Sequence, residues 1–203
     1  MLRGVTARLP SLVPTALAFG LVAACDGGGS RSAGDAANCD TTVPLVDHTL
    51  WTVLGPSDDP FGGGPRRCGP EDLVLEDFSG ESSLSVSTRR CSWMTVTQPS
   101  LAPLHPGDAL NVRLWYFSQT LFDAAEATLV VEVGEIGGTD GPGSLRWTTT
   151  VPLPTPSALA YDTLPVSREL PAGTPIWWHV HNHGENTWNL IEVSVTRSVT
   201  CGR

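Results

Sequence analysis

Apolar and polar residues alternate with period two through most of the chain after Cys39, and this alternation limits the fold more than any other feature. Leu84 and Val86 are spaced by serines in SSLSVST. Leu110, Val112, Leu114 and Tyr116 alternate with Asn111, Arg113 and Trp115. Leu129, Val131 and Val133 repeat the pattern. So do Ile176, Trp178 and Val180 against Trp177, His179 and His181, and finally Ile191, Val193 and Val195. Successive side chains of a strand point to opposite faces, so each run presents one apolar and one polar face. No stretch past Cys39 carries a persuasive 3.6-residue period. Between the runs stand Pro106-Gly107-Asp108, Gly137 to Gly143, Pro152 to Pro156, Pro171 to Gly173 and Asn182-His183-Gly184, residue types that interrupt strands and turn the chain. Short strands at regular spacing, with no helical interludes, predict an all-β fold over residues 39–203: a single antiparallel β-sandwich of jelly-roll type. A domain of about 165 residues is long enough to bury a core of its own.

The N-terminus reads differently. Arg3 and Arg8 precede an apolar stretch, Leu9 to Ala24, that Pro10 and Pro14 interrupt. A spanning helix needs about 20 apolar residues, so residues 1–24 read as a signal peptide and not as an anchor. The segment Leu21-Val22-Ala23-Ala24-Cys25 resembles a lipobox, with Val22 where leucine is commoner. That resemblance implies cleavage before Cys25 and a lipid on its thiol; the alternative is an ordinary secretion signal with Cys25 free. Residues 25–38 are rich in Gly, Ser and Ala and have little to bury, so they form a flexible tether of roughly 20 Å. The expected address is the cell envelope, outside the cytoplasm, with the lipid anchored in a membrane.

Cysteine number agrees with lipidation. Five cysteines leave one unpaired, and assigning Cys25 to the lipid leaves an even four. Three pairings of those four are open; the expected one joins Cys68 to Cys91 and Cys39 to Cys201. All 12 basic residues are arginine, and two of them lie in the signal segment, so the mature chain carries 10 basic against 21 acidic residues. The acidic balance and the absence of any basic run beyond Arg66-Arg67 and Arg89-Arg90 exclude a phosphate-backbone partner, and no nucleic acid is expected.

Two sets of residues could carry function. Trp115 and Trp177 fall opposite the apolar rows of their strands, and exposed indoles beside Arg113 or Asn111 would make a platform for a sugar ring and its hydroxyls. His179 and His181 share a strand face about 7 Å apart, a spacing that suits two imidazoles on one metal, with Glu185 following. Gly173, His179, His181 and Glu185 resemble the first metal motif of cupins, departing at Glu192 where that motif has glycine. The plainer reading has Trp177, His179 and His181 facing solvent and Asn182-His183-Gly184 as a hairpin turn. The acidic pairs Asp58-Asp59, Glu71-Asp72 and Glu76-Asp77 suit a solubilising surface, and no Gly-x-Ser-x-Gly elbow or phosphate loop is present. No catalytic residue and no cofactor is expected.

The stretches SLSVSTRRC, HPGDALNVRLWYF and PAGTPIWWHVHNHGENTWNLIEVSV together resemble the jelly-roll domain of a group of uncharacterised bacterial secreted lipoproteins, over roughly Glu71 to Thr196. More loosely they resemble carbohydrate-binding modules and galactose-binding-like domains. The resemblance implies a β-sandwich in the envelope and a binding function; it names no ligand. The function expected is therefore a membrane-tethered, non-catalytic binding module with glycan as partner. A metal-binding protein or metal-dependent enzyme using His179 and His181, and a structural envelope protein with no small ligand, are the alternatives.

Overall fold

The computed structural model describes residues 38–200, apart from 63, 65, 119–124 and 136–143. Residues 1–37, the Gly137–Gly143 turn and Cys201 lie outside the described residues. The described chain forms eleven strands: β1 (Asn38–Pro44), β2 (Thr52–Val53), β3 (Leu73–Phe78), β4 (Glu81–Ser87), β5 (Trp93–Pro99), β6 (Ala109–Tyr116), β7 (Ala125–Gly134), β8 (Ser144–Leu153), β9 (Ala158–Pro165), β10 (Pro175–Asn182) and β11 (Thr187–Thr200). Its one helical element is a 3-10 turn at Pro70–Asp72.

All strand pairs are antiparallel, in two sheets. Sheet 1 has the order β3-β4-β11-β6-β9, and sheet 2 the order β2-β5-β10-β7-β8. The long β11 pairs with β4 through Thr187–Leu190 and with β1 through Ser194–Thr200, so two strands share one of its edges. From β4 onward the chain alternates between sheets except for the β7–β8 hairpin. It builds β4-β11-β6-β9 in one sheet and β5-β10-β7-β8 in the other, which is the jelly-roll arrangement.

The alternation explains the core. Leu84, Val86, Leu110, Val112, Leu114, Leu129, Val131, Val133, Ile176 and Val180 are all buried between the sheets, with Trp178 and Trp188 among the largest fully buried side chains. Each such side chain contributes on the order of 1.5–3 kcal/mol relative to exposure. Turn chemistry follows the residues. Ser79 (φ 57°) and Gly80 (φ 87°) form the two-residue β3–β4 loop, whose two positive φ values match the twist of the hairpin. Pro106-Gly107 carries a type II turn, with Gly107 at φ 94° and the Asp108 amide donating to the His105 carbonyl at 3.0 Å.

Four expectations from the sequence change. Ile191 does not join the row of Val193 and Val195, because the β6 register shifts between Leu190 and Glu192. This bulge turns Leu190 and Val193 into the core and leaves Ile191 out of it. Pro152 does not end a strand; it lies inside β8 opposite Glu126. β8 is the edge of sheet 2, where a missing N–H costs no ladder bond. Asn182-His183-Gly184 is not a hairpin turn, since β10 and β11 belong to different sheets. It is a corner between them, held by the Asn182 side chain, which accepts from the Gly184 amide at 3.0 Å and donates to Thr88 Oγ1 at 2.8 Å. His179, expected to face solvent, is buried by a loop that covers it.

Cys68 and Cys91 form a disulfide, S–S 2.05 Å, that ties the Gly-rich β2–β3 loop to the start of β5. Cys39 is also disulfide-bonded. Its expected partner, Cys201, lies outside the described residues, and the β1–β11 ladder sets Cys39 opposite Val199.

Candidate functional site

Strand β6 turns Asn111, Arg113 and Trp115 to the outer face of sheet 1, the face that the apolar row predicts. Neighbouring strands complete the surface by register. β9 places Thr163, Tyr161 and Leu159 opposite those three residues, and β11 places Ser194, Glu192 and Asn189 on the other side. Tyr161 and Leu159 are 60% and 50% exposed, large apolar surfaces left open on a strand.

The face is curved. Three strand spacings put β3 and β6 about 14 Å apart in a flat sheet. Yet Phe78 of β3 and Trp115 of β6 have ring centroids 5.4 Å apart. The end of the β3–β4 hairpin therefore curls over the face and walls one side of it. Phe117 meets Trp115 edge-on at 6.4 Å. Beyond it a cavity of about 220 Å³ is lined by Phe117, Ser87, Arg89, Glu185 and Asn186.

Charge on the face centres on Arg113. Its Nη2 donates to Glu81 Oε2 at 2.6 Å, and its Nε lies 3.3 Å from Glu192 Oε2. The hydrogen bond to Glu81 raises the guanidinium pKa above its already high value, against the opposing effect of partial burial. A guanidinium gripped by two carboxylates has a fixed direction, which is what orienting a polar ligand requires.

Asn111 plays a different part from the one its position on β6 suggests. It is buried, its Nδ2 donates to Thr196 Oγ1 at 2.9 Å and Ser194 Oγ at 3.3 Å, and its Oδ1 accepts from Thr163 Oγ1 at 3.1 Å and the Tyr161 hydroxyl at 3.4 Å. Its amide is occupied within the protein, so it positions Tyr161 and offers nothing outward.

Trp177 lies on the opposite surface, the outer face of sheet 2, with His179 and His181. Its Nε1 donates to the Gly134 carbonyl at 3.0 Å. Its ring lines a cavity of about 390 Å³ with Thr52, Thr97, Pro99, Gly173 and Pro175. The fold thus separates the two tryptophans that the sequence grouped.

His179 is 4% exposed. Its Nδ1 is hydrogen-bonded to Thr95 Oγ1 at 2.7 Å, and its ring stacks on Phe61 at 4.7 Å. Burial first, then His181 and Arg146, lower its pKa to about 3, so the ring is neutral. The His179 and His181 centroids are 6.2 Å apart with their planes at 83°. Glu185 stands beyond the inter-sheet corner, in the cavity next to Phe117. Among the described residues, the group of three whose ligand atoms lie within 4.8 Å of one another is Cys68, Asp72 and Cys91, and its two sulfurs are bonded to each other. His179, His181 and Glu185 form no such group.

Residues that carry no motif complete both surfaces. Tyr161 and Leu159 sit in a run between Pro156 and Pro165, whose period-two spacing was the available signal. Glu81, Glu192 and Phe61 come to their places through a hairpin, a bulge and a loop, none of which has a local sequence signature.

No protein-family model matches the chain, and no curated protein does. Among solved structures, the chain is similar to the enzymatically active domain of bacteriophage CBA120 tailspike protein 4, at 13% identity and a TM-score of 0.43 over 75% of this chain and 20% of that one. It is also similar to the mannan-recognising carbohydrate-binding module TmCBM27, at 8% identity and a TM-score of 0.44 over 80% of this chain and 98% of the module. A third is the family 11 carbohydrate-binding module from Clostridium thermocellum, at 11% identity and a TM-score of 0.39 over 79% and 96%. The chain spans about a fifth of the tailspike chain. These scores all lie below 0.5, and the jelly roll rests on the strand order alone.

Proposed function

We propose that this chain is a non-catalytic binding module, tethered to a membrane outside the cytoplasm, that binds glycan on the outer face of sheet 1. One observation carries the glycan reading: the exposed Tyr161 and Leu159 and the half-buried Trp115 form a curved aromatic and apolar surface around a fixed Arg113. Sugars present apolar C–H faces ringed by hydroxyls, and such a surface pairs with both at once. Arg113 supplies the donor, and Glu81 and Glu192 hold it in place.

The test is a glycan array probed with the full chain and with Trp115→Ala and Tyr161→Ala. Loss of a central aromatic anchor weakens binding by about 30-fold or more. Retention of some glycan by the parent and its loss in both variants is the expected result. An array on which nothing is retained, or retention that survives both substitutions, removes the reading.

Support for the tether comes from Arg3, Arg8, the short apolar run and the small residues before Cys25. Acyl chains of the kind expected there hold a protein at a bilayer by about 0.8 kcal/mol for each buried CH₂. Cys25→Ser is expected to release the protein from the membrane fraction and to lower its mass by the acyl groups. If both stay unaltered, the chain is not a lipoprotein.

A further inference from the structure

The outer face of sheet 2 sets polar side chains beside apolar ones, with Val130 opposite His179 and Trp93 opposite His181, and a loop covers part of it. Strands β5, β10, β7 and β8 turn Thr95, His179, Trp177, Glu132 and Arg146 outward in adjoining rows; Trp177 stands opposite Glu132, which stands opposite Arg146. A seat for a loop ordinarily leaves no buried polar group without a partner, because such groups are costly. Phe61, from the β2–β3 loop, occupies this one. Its ring stacks on His179 with centroids 4.7 Å apart and planes 21° from parallel, and the Arg146 guanidinium lies 5.6 Å from the same ring.

Glu132 is left unsatisfied in this arrangement at both carboxylate oxygens. It is 1% exposed, no group among the described residues hydrogen-bonds either carboxylate oxygen, and its ion pair with Arg146 Nε spans 4.0 Å. A phenyl ring can stack on His179, but it has no donor to offer a carboxylate one row away. A ring of similar size bearing hydroxyls has both. Burial keeps His179 uncharged, so the surface on which such a ring would rest is a neutral flat one.

We propose that the seat of Phe61 is a second ligand site, which takes one ring of a neutral saccharide against His179 with its hydroxyls donating to Glu132. Phe61 closes the site in the free protein and competes with the ligand. A neutral ligand fits because Arg146 already stands beside the Glu132 carboxylate. The site lies on the opposite sheet from Trp115 and does not depend on glycan binding there.

The experiment uses the full chain carrying Trp115→Ala, which silences sheet 1, and titrates it calorimetrically with gluco-, galacto-, manno- and xylo-oligosaccharides. Removing the competing ring with Phe61→Ala is expected to tighten binding of at least one of these by about tenfold or more, since apparent affinity scales with the open fraction. Glu132→Gln is expected to abolish that binding while raising the thermal midpoint by a few degrees, because a buried amide is cheaper than a buried carboxylate that accepts no hydrogen bond. If Phe61→Ala does not fold, Phe61→Val, whose smaller side chain leaves the face of His179 open, is read in its place. No gain of saccharide binding on loss of the ring overturns the proposal. So does a fall in the midpoint of Glu132→Gln, which would make the carboxylate a structural partner of Arg146.

Discussion

Burial beneath Phe61, and after it the neighbouring His181 and Arg146, lower the pKa of His179 from 6.5 to about 3. Between those values the unfolded chain holds a proton that the folded chain does not. Stability therefore falls as pH is lowered through that window, by on the order of 1.4 kcal/mol for each pH unit crossed. Burial also lowers the pKa of His48, and of His181 with help from His183, so they act in the same direction. His179→Gln, which can still bond Thr95, is expected to lose less stability than the parent between pH 7 and pH 4. Urea midpoints across that range would show it, and parallel slopes for the two proteins would refute it. Asn111 makes a second residue-scale prediction. Asn111→Ala removes four partners at a buried position and is expected to cost about 1–3 kcal/mol. It should also weaken glycan retention on the array by releasing Tyr161.

The β3–β4 hairpin and the β2–β3 loop are the elements that convert a plain sheet face into a site. The hairpin turns on Ser79 and Gly80, and nothing within 4 Å of Gly80 would meet an added Cβ. Gly80→Ala is thus expected to cost about 1 kcal/mol by conformation alone, with m-values unaltered in denaturant melts. The loop is held differently. Cys68 and Cys91 are 23 residues apart, and closing a loop of that length is worth about 3 kcal/mol in the entropy model. A Cys68→Ala/Cys91→Ala variant is expected to lose that stability at equilibrium. It should also expose His179 more readily, as hydrogen exchange in β5 and β10 would register. Loss of stability without faster exchange there would separate the disulfide from the cover over His179.

For the molecule, the jelly roll presents two outer faces, and each carries aromatic and charged side chains in place of a uniformly solvated surface. Their chemistry differs. Sheet 1 is open, and its cation is gripped by two carboxylates. Sheet 2 is closed by a phenyl ring, and no group among the described residues hydrogen-bonds its Glu132 carboxylate. Because the apolar core separates them, substitutions on the two faces are expected to act additively on stability, within the few tenths of a kcal/mol usual for distant sites. Comparing Trp115→Ala, Glu132→Gln and the double variant by thermal melting checks this. A clear departure from additivity would mean that the sheets communicate through the core.

Period-two alternation along single strands was enough to decide which side chains of β4, β6, β7 and β10 face the core. It also placed Asn111, Arg113 and Trp115 together, because pleating alone sends alternate residues to one side. The Cys68–Cys91 bond was the expected one of three pairings that the sequence left open, and only the fold brings the two sulfurs together. Which strands stand beside one another is not a property of any one strand. Tyr161 reached Arg113 by register with β9, Glu81 by the curl of a hairpin, and Glu192 by a bulge that displaced Ile191. His179 and Trp177 looked solvent-facing from their own strand, and only the path of the β2–β3 loop decided that one is buried under Phe61. Local periodicity specifies a side chain's direction from its own backbone; what that direction meets depends on contacts between residues far apart in sequence, which only tertiary structure brings together.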